Sequence, residues 1–502
     1  MTAKIVVLMS VEGYLSHRGF VLPAAALQNK MSKANYSTFL RKLTIVCPQK
    51  VGPPKVAKMY TEVIINGVIC IHLPRTLIDF LSRAKIMATC HVLFSPRVTI
   101  PATLKTTLFD NQKIIVDHLC TDIFTPNRIA AGRATALLNL MAGQGKTWVA
   151  AGVIDETKLR TLYITHRVPL AVQAAKDLRS CFHDANDQSL IIEIFDKKSK
   201  KKSIPKPPAH ITVIVINSAL KQPVEFFAGY SLIIYDEVHA YCSPTRRQIF
   251  SKMTHCGLGM SATTEDRLDK FDPITHRELA FDGIIRAVNL PGFTYDDSKF
   301  DSDVTIIHYH GPPEYTQTLR HESTGNVFIP YMIDQMLSDP VRWALVISRL
   351  RELYDWRGPA GEQHNIYVFC EEREPLKRIH EELSKTFHVD TPELEVSGQF
   401  IGGIKEGEIN RIKEESRIIL TTYGYSREGI SIAKMTAAIC LTPRRSGMLQ
   451  IFARILRRGG PTFRRKFIDI VDARTSMKYQ LVDRMQAYSF YGATITHEKI
   501  KA

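Results

Sequence analysis

Residues 137–148 read LLNLMAGQGKTW. The first five, Leu137-Leu138-Asn139-Leu140-Met141, make a short apolar run that fits a buried β-strand. Gly143-Gln144-Gly145-Lys146-Thr147 follow, and WVAAGVI then opens like a helix. A strand, a glycine loop and a helix start, in that order, form a phosphate cradle. Glycines let backbone N–H groups close round a polyphosphate, the Lys146 ammonium reaches the β and γ oxygens, and the Thr147 hydroxyl can hold Mg²⁺. One position departs from the full pattern G-x-x-x-x-G-K-[ST], which has glycine where this chain has Leu140. Taken alone, the stretch also fits a plain glycine turn before a helix, so the rest of the chain decides.

Outward from that loop, short apolar runs end in polar residues and alternate with helical stretches. They are TLYIT (161–165), ITVIVIN (211–217), SLIIYDE (231–237) and GLGMSAT (257–263). Runs of this kind read as parallel strands covered on both faces, with function at their carboxyl ends. NIYVFC (365–370), SRIILTTYG (416–424), TAAICLT (436–442) and KFIDIVD (466–472) repeat the pattern and predict a second lobe. Upstream the texture differs. KLTIVCP (42–48), TEVIINGVICIHLP (61–74) and TCHVLF (89–94) read as strands, Asn66-Gly67 marks a hairpin, and LPRTLIDFLSRAKI reads as a helix. The expected fold class is α/β, two tandem lobes with parallel sheets behind a small α+β domain at 1–100. The lobes are expected at 101–300 and 341–490, with an inter-lobe region at 301–340 and a tail at 491–502.

Tyr235–His239, YDEVH, closes the run SLIIY. Many strands end in Asp-Glu with no special role. In the same lobe as a phosphate loop, the pair acquires one. Asp236 can hold Mg²⁺ through its water shell, because that ion needs only one or two carboxylates. Glu237 is then placed to orient or deprotonate an attacking water.

Ser261-Ala262-Thr263 on the next run, TTYGYSREGISI (421–432) and QIFARILR (450–457) extend the series. The order of these motifs, from about residue 105 to 460, resembles the superfamily 2 helicases of DExH type. LTPRRSGMLQIFARILRRGG (441–460) is most similar to the helicases of large cytoplasmic DNA viruses, of the African swine fever virus kind. The poxvirus transcript-release helicases are a more distant likeness. The resemblance implies two RecA-like lobes, ATP and Mg²⁺ as cofactors, and nucleic acid, DNA or RNA, as partner. It extends to a role with viral transcription machinery, in host cytoplasm or packaged in the virion.

Residue roles follow from the same resemblance. Gln112, in LFDNQKIIVDH, stands where the family reads adenine. Gly143, Gln144, Gly145, Lys146 and Thr147 would hold the triphosphate, with Gly429 from the second lobe. Thr147 and Asp236 would hold the metal and Glu237 the water. His239, Ser261 and Thr263 would couple hydrolysis to movement. Gln450, Arg454 and Arg457 would act on the phosphates; their spacing puts all three on one helical face, and a guanidinium there can neutralise the transferring phosphoryl. Arg167, Lys221, Thr421, Thr422, Arg427 and Arg444 are the nucleic-acid candidates, meeting phosphates without reading sequence. The chain departs from the family at Ala453 (glycine), Thr264 (proline), Ser431 (aspartate) and His166-Arg167.

A formal charge of +16 in 502 residues, with a pI near 9.3, fits a polyanionic partner, although a basic solvated surface has the same balance. Nine scattered cysteines without a CxxC exclude a zinc knuckle or a disulfide framework. No apolar run has the length of a membrane span, and the amino terminus lacks a signal-peptide pattern. KKSKKKSIPKPP (197–208) reads as a solvated loop tip. Two readings compete with a helicase: an ATPase switch that ignores nucleic acid, and a helicase-like scaffold without turnover. The first does not account for the two-lobe motif series, and the intact Lys146, Asp236, Glu237, Arg454 and Arg457 argue against the second.

Overall fold

The computed structural model describes residues 12–16, 19–47, 53–83, 89–93, 97–141, 143–195, 209–243, 245–264, 272–280, 283–294, 301–323, 325–387, 395–404, 406–427, 432–445, 447–456 and 461–502. The chain divides into two units, Met1–Thr294 and Tyr295–Ala502. The lysine run at 197–208 lies outside the described residues. Among the described residues no helix is long and apolar enough to cross a membrane.

The first unit opens with the α+β domain. Its strands are β1 (Glu12–Ser16), β2 (Gly19–Pro23), β3 (Thr44–Cys47), β4 (Lys55–Lys58), β5 (Thr61–Ile65), β6 (Val68–Leu73) and β7 (Thr89–Val92). Five of them form a sheet in the order β5-β6-β2-β1-β7, and β3 pairs with β4 apart from it. The Asn66-Gly67 hairpin joins β5 to β6 with φ of 49° and 78°. Positive φ at both turn residues is what a two-residue primed turn demands, and Asn-Gly meets it at least cost. Leu15, Phe20, Leu22, Ile71 and Leu77 share one core with Cys242 and Ile274 of the following lobe. Arg75 is buried there, donating to the carbonyls of Met253, Thr254 and Gly132. The domain is therefore packed onto lobe one, not hung from it.

Lobe one has β8 (Ala134–Asn139), β9 (Thr161–Thr165), β10 (Ile192–Ile194), β11 (Ile211–Val215), β12 (Leu232–Asp236), β13 (Cys256–Ser261) and β14 (Ile285–Arg286). All pairs are parallel, in the order β10-β11-β9-β12-β13-β8-β14. Every residue of β9 and β13 is buried, as a strand covered on both faces must be.

The second unit repeats the plan with β15 (Ser302–His310), β16 (Ile366–Cys370), β17 (Glu395–Phe400), β18 (Ser416–Thr422), β19 (Ala437–Cys440), β20 (Arg465–Asp472) and β21 (Thr494–Lys501). The order is β17-β18-β16-β19-β20-β15-β21, again all parallel. Two segments differ from expectation. Residues 301–340, expected between lobes, supply β15, which lies between β20 and β21 inside the sheet. Residues 491–502, expected as a tail, supply the edge strand β21. Val304, Ile306 and Ile307 bury β15, but turn residues on both sides dilute that signal. β21 has no fully buried residue, so its sequence lacks the apolar run that marks its neighbours.

Candidate functional site

Lobe one gathers its chemistry at the carboxyl ends of β8, β12 and β13. Gly143 and Gly145 carry φ of 83° and 77°, conformations that ordinary side chains rarely adopt. A Cβ on Gly145 would fall 2.3 Å from Gln112 Nε2, so a side chain has no room there. From Gly145 the helix Lys146–Thr157 runs back under the sheet, burying Val149, Ala150, Val153 and Ile154. Its amino-terminal N–H groups are those an anion would meet. Gln112 is buried on the helix Asp110–His118. Its Nε2 donates to the Gln144 carbonyl at 3.3 Å, and its Oε1 accepts from Phe109 N at 3.0 Å. The amide thus ties the helix Asp110–His118 to the loop itself.

Lys146 Nζ contacts Glu237 Oε1. Among the described residues, Glu237 is one of three other than glycine with positive φ, at 48°. Such strain at a strand end is characteristic of functional positions. Burial works to raise the Glu237 pKa, but the Lys146 ammonium and the His239 imidazole hold it well below the usual range. Asp236 lies beside it, accepting from Glu237 N at 3.0 Å. Burial, with the Glu237 carboxylate next to it, pushes Asp236 up to about 7. One carboxylate has claimed the only nearby ammonium, and the other bears the cost.

The three coupling candidates form a chain. Ser261 Oγ donates to the Thr263 carbonyl at 3.0 Å and accepts from Thr263 N at 3.0 Å. Its single proton is thereby used, so towards His239 Nδ1, 2.8 Å away, it accepts. His239 therefore carries its proton on Nδ1, which also lies 3.3 Å from Glu237 Oε2. Arg167 and Lys221 follow β9 and β11 at the same end of the sheet, Arg167 partly buried and Lys221 exposed.

In the second unit, Thr421 is buried and Thr422 Oγ1 accepts from Tyr425 N at 3.3 Å. Arg444 grips Glu371 with contacts of 2.5 and 2.6 Å. Gln450 and Arg454 are buried. The helix Met448–Phe452 stops before Arg454, so the α-helical face expected to carry Gln450 and Arg454 is not continuous between them. Arg454 N, Ile455 N and Leu456 N instead bond three residues back, a tightening into turns. The buried Arg465 donates from Nε to the Ile455 carbonyl at 2.7 Å in the same stretch. Arg457 and Gly429 lie outside the described residues, as does the side chain of Arg427.

Sequence reasoning passed over two residues at the lobe-one site. Tyr163, fully buried on β9, faces both Asp236 and Thr147. His166, just past β9, stands near Glu237 and His239, and burial lowers it to about 4. Tyr163 counted as core in an apolar strand, and only the register of β9 against β12 reveals its neighbour.

This site sits within a segment, residues 105–266, that matches the family of the type III restriction enzyme res subunit. The African swine fever virus protein QP509L, provisionally named an ATP-dependent RNA helicase, is 29% identical over 500 residues, covering 97% of this chain and 92% of that one. Along nearly its whole length the chain is thus similar to a protein named as a helicase. A helicase of Invertebrate iridescent virus 6, also provisionally named, is 22% identical over 410 residues, 80% of this chain and 85% of that one. Among solved structures, the ATP-dependent Type ISP restriction-modification enzyme LlaBIII bound to DNA shares the fold at TM-score 0.50 and 14% identity. It matches 79% of this chain and 32% of its own. The two seven-stranded parallel sheets described above fit tandem RecA-like lobes.

Proposed function

We propose that the chain hydrolyses Mg·ATP at the carboxyl edge of lobe one to translocate on or unwind nucleic acid. The contact between Lys146 and Glu237 carries the reading, since it joins the phosphate-loop lysine to the presumptive water-activating carboxylate. The donor set fits the cofactor: two glycines with open backbone, an ammonium, a hydroxyl and a half-buried aspartate lacking an ion-pair partner among the described residues. Thr147 and Asp236 would hold Mg²⁺, whose charge would offset that of the transferring phosphoryl. A cation held there would favour the ionised form of the crowded Asp236. Lys146, drawn to phosphate oxygens, releases Glu237. The freed carboxylate loses the Lys146 share of what depressed its pKa, keeping that of His239, and becomes a better base for water. His239, donating to Ser261, links that change to β13. Gln450, Arg454 and Arg457 are assigned to the phosphates, and Gly429 to the nucleotide, on motif position.

The substrate is DNA, RNA or a hybrid of the two; the viral relative's name favours RNA and the solved neighbour holds DNA. Viral transcription or genome metabolism in host cytoplasm, with packaging in the virion, is the setting we infer. The test is ATP turnover with duplex DNA, single-stranded DNA and single-stranded RNA at one stated salt concentration. Stimulation by any of them, abolished in Lys146→Ala, is expected. Turnover indifferent to all three would leave an ATPase switch as the function.

A further inference from the structure

β15 and β21 run parallel, and their register sets His308 beside Lys499 and His310 beside Lys501. Paired residues of neighbouring strands point to one face, and alternate residues of a strand share it. His308, His310, His497, Lys499 and Lys501 therefore lie on one face of the sheet. On that face the earlier residues Val304, Ile306 and Ile495 join the core, so the row begins where the core ends. It emerges at the carboxyl edge of the sheet, the edge at which open α/β folds bind ligands. His308 Nε2 and His497 Nδ1 are 2.9 Å apart, with rings stacked at 5.2 Å and 19°, which fastens the edge strand to its neighbour. Arg474 donates to the Gly311 carbonyl at 2.9 Å, close to His310.

The charge in this row has no counterpart. Lys499 and Lys501 are exposed and have no ion-pair partner among the described residues. Glu498 points to the opposite face, where Arg349 holds it. Asp469 and Asp472 are buried and bound by Arg484 and Arg342. Even His310, at the surface, has its pKa lowered, by some burial and by Lys499, Arg474, His308 and Lys501. A folded protein that leaves such a field unneutralised presents it to an anion.

We propose that the carboxyl ends of β15 and β21 bind the phosphate backbone of a nucleic-acid strand. The inference rests on the nucleic-acid reading above and adds a surface to it. β21 is five strands from β18, which carries Thr421 and Thr422, so the row lies about 24 Å further along the same sheet. It holds the strand by charge and hydrogen bonds, without reading sequence.

The test is the salt dependence of binding of the full chain to labelled single-stranded DNA and RNA, by fluorescence anisotropy. Each lysine–phosphate contact contributes about 0.7 to the log–log slope on a single strand. Lys499→Gln/Lys501→Gln should lower the slope by about 1.4, and Lys499→Arg/Lys501→Arg should keep it. Lys377→Gln/Lys385→Gln, on the helix Glu374–Thr386, removes the same charge elsewhere and should keep the slope too. An unchanged slope in the first variant, or an equal fall in the control, overturns the row. Absence of any binding by the unaltered chain would instead overturn the nucleic-acid reading itself.

Discussion

Both seven-stranded sheets deliver an aspartate at the end of an inner strand, buried at Asp472 and half-buried at Asp236, and the two are treated in opposite ways. Asp472, closing β20, takes Arg342 in a two-pronged grip of 2.7 and 3.1 Å. Asp236, closing β12, shares its corner with a second carboxylate and loses the nearby Lys146 to it. The first has its charge partner in place, although burial still leaves its pKa raised against the pull of Arg342, and it ties two elements of the lobe together. The second is solved only when something positive arrives. A matched buried charge therefore marks architecture, while an unmatched one marks a site awaiting its ligand.

The comparison is tested most severely by removing the matched partner. Arg342→Ala leaves Asp472 buried and alone, and should cost about 3–5 kcal/mol of stability. Replacing both, as Arg342→Met with Asp472→Leu, should cost far less, because no stranded charge remains. Asp236→Asn should leave the unfolding midpoint unchanged or raised. Denaturant unfolding of the three variants checks all of this, and a large loss in Asp236→Asn would make that aspartate architectural after all.

A smaller effect is expected where charge is kept out of the fold's foundations. Glu237→Gln keeps shape and removes the base. ATP turnover should fall by about two orders of magnitude, with nucleotide binding retained. Binding can be followed by the fluorescence of Trp148, which adjoins Thr147. Loss of binding instead would mean that Glu237 holds the nucleotide.

What the sequence disclosed follows the same division. β9, β11, β12, β16 and β20 are legible because continuous burial writes an apolar run. Lys146, Asp236 and Glu237 are legible because phosphate chemistry restricts which residues serve. β15 and β21 are hidden, one among turn residues and the other on an exposed edge. The end of the helix at Phe452, where the chain tightens into three-residue turns, breaks a spacing that on paper continues to Arg457. The role of Tyr163 rests on cross-strand register, equally invisible along the chain.

The gentlest challenge to the comparison comes from a carboxylate that is unmatched yet far from the phosphate loop. Glu278 sits on the helix Pro273–Leu279 and lines a cavity of about 150 Å³ beside His72, Arg75 and Arg247. Burial raises it to about 7, against a weaker opposing pull from Arg247 and Arg75. The folded chain therefore binds a proton that the unfolded chain, with an ordinary glutamate near 4.5, has released. Stability should fall as pH rises from about 4.5 to 7 and level off above that, where both states are ionised. Glu278→Gln removes the titration. It should match the parent at pH 4 and exceed it at pH 8 by about 1 kcal/mol, since a carboxylate open to a cavity feels only part of the burial. Thermal unfolding at the two pH values measures the gap. A gap at pH 8 would show that an unmatched carboxylate can be a mere cost of packing the amino-terminal domain onto lobe one. No gap would mean that Arg247 and Arg75 already match it, and the rule drawn from Asp236 and Asp472 would hold here too.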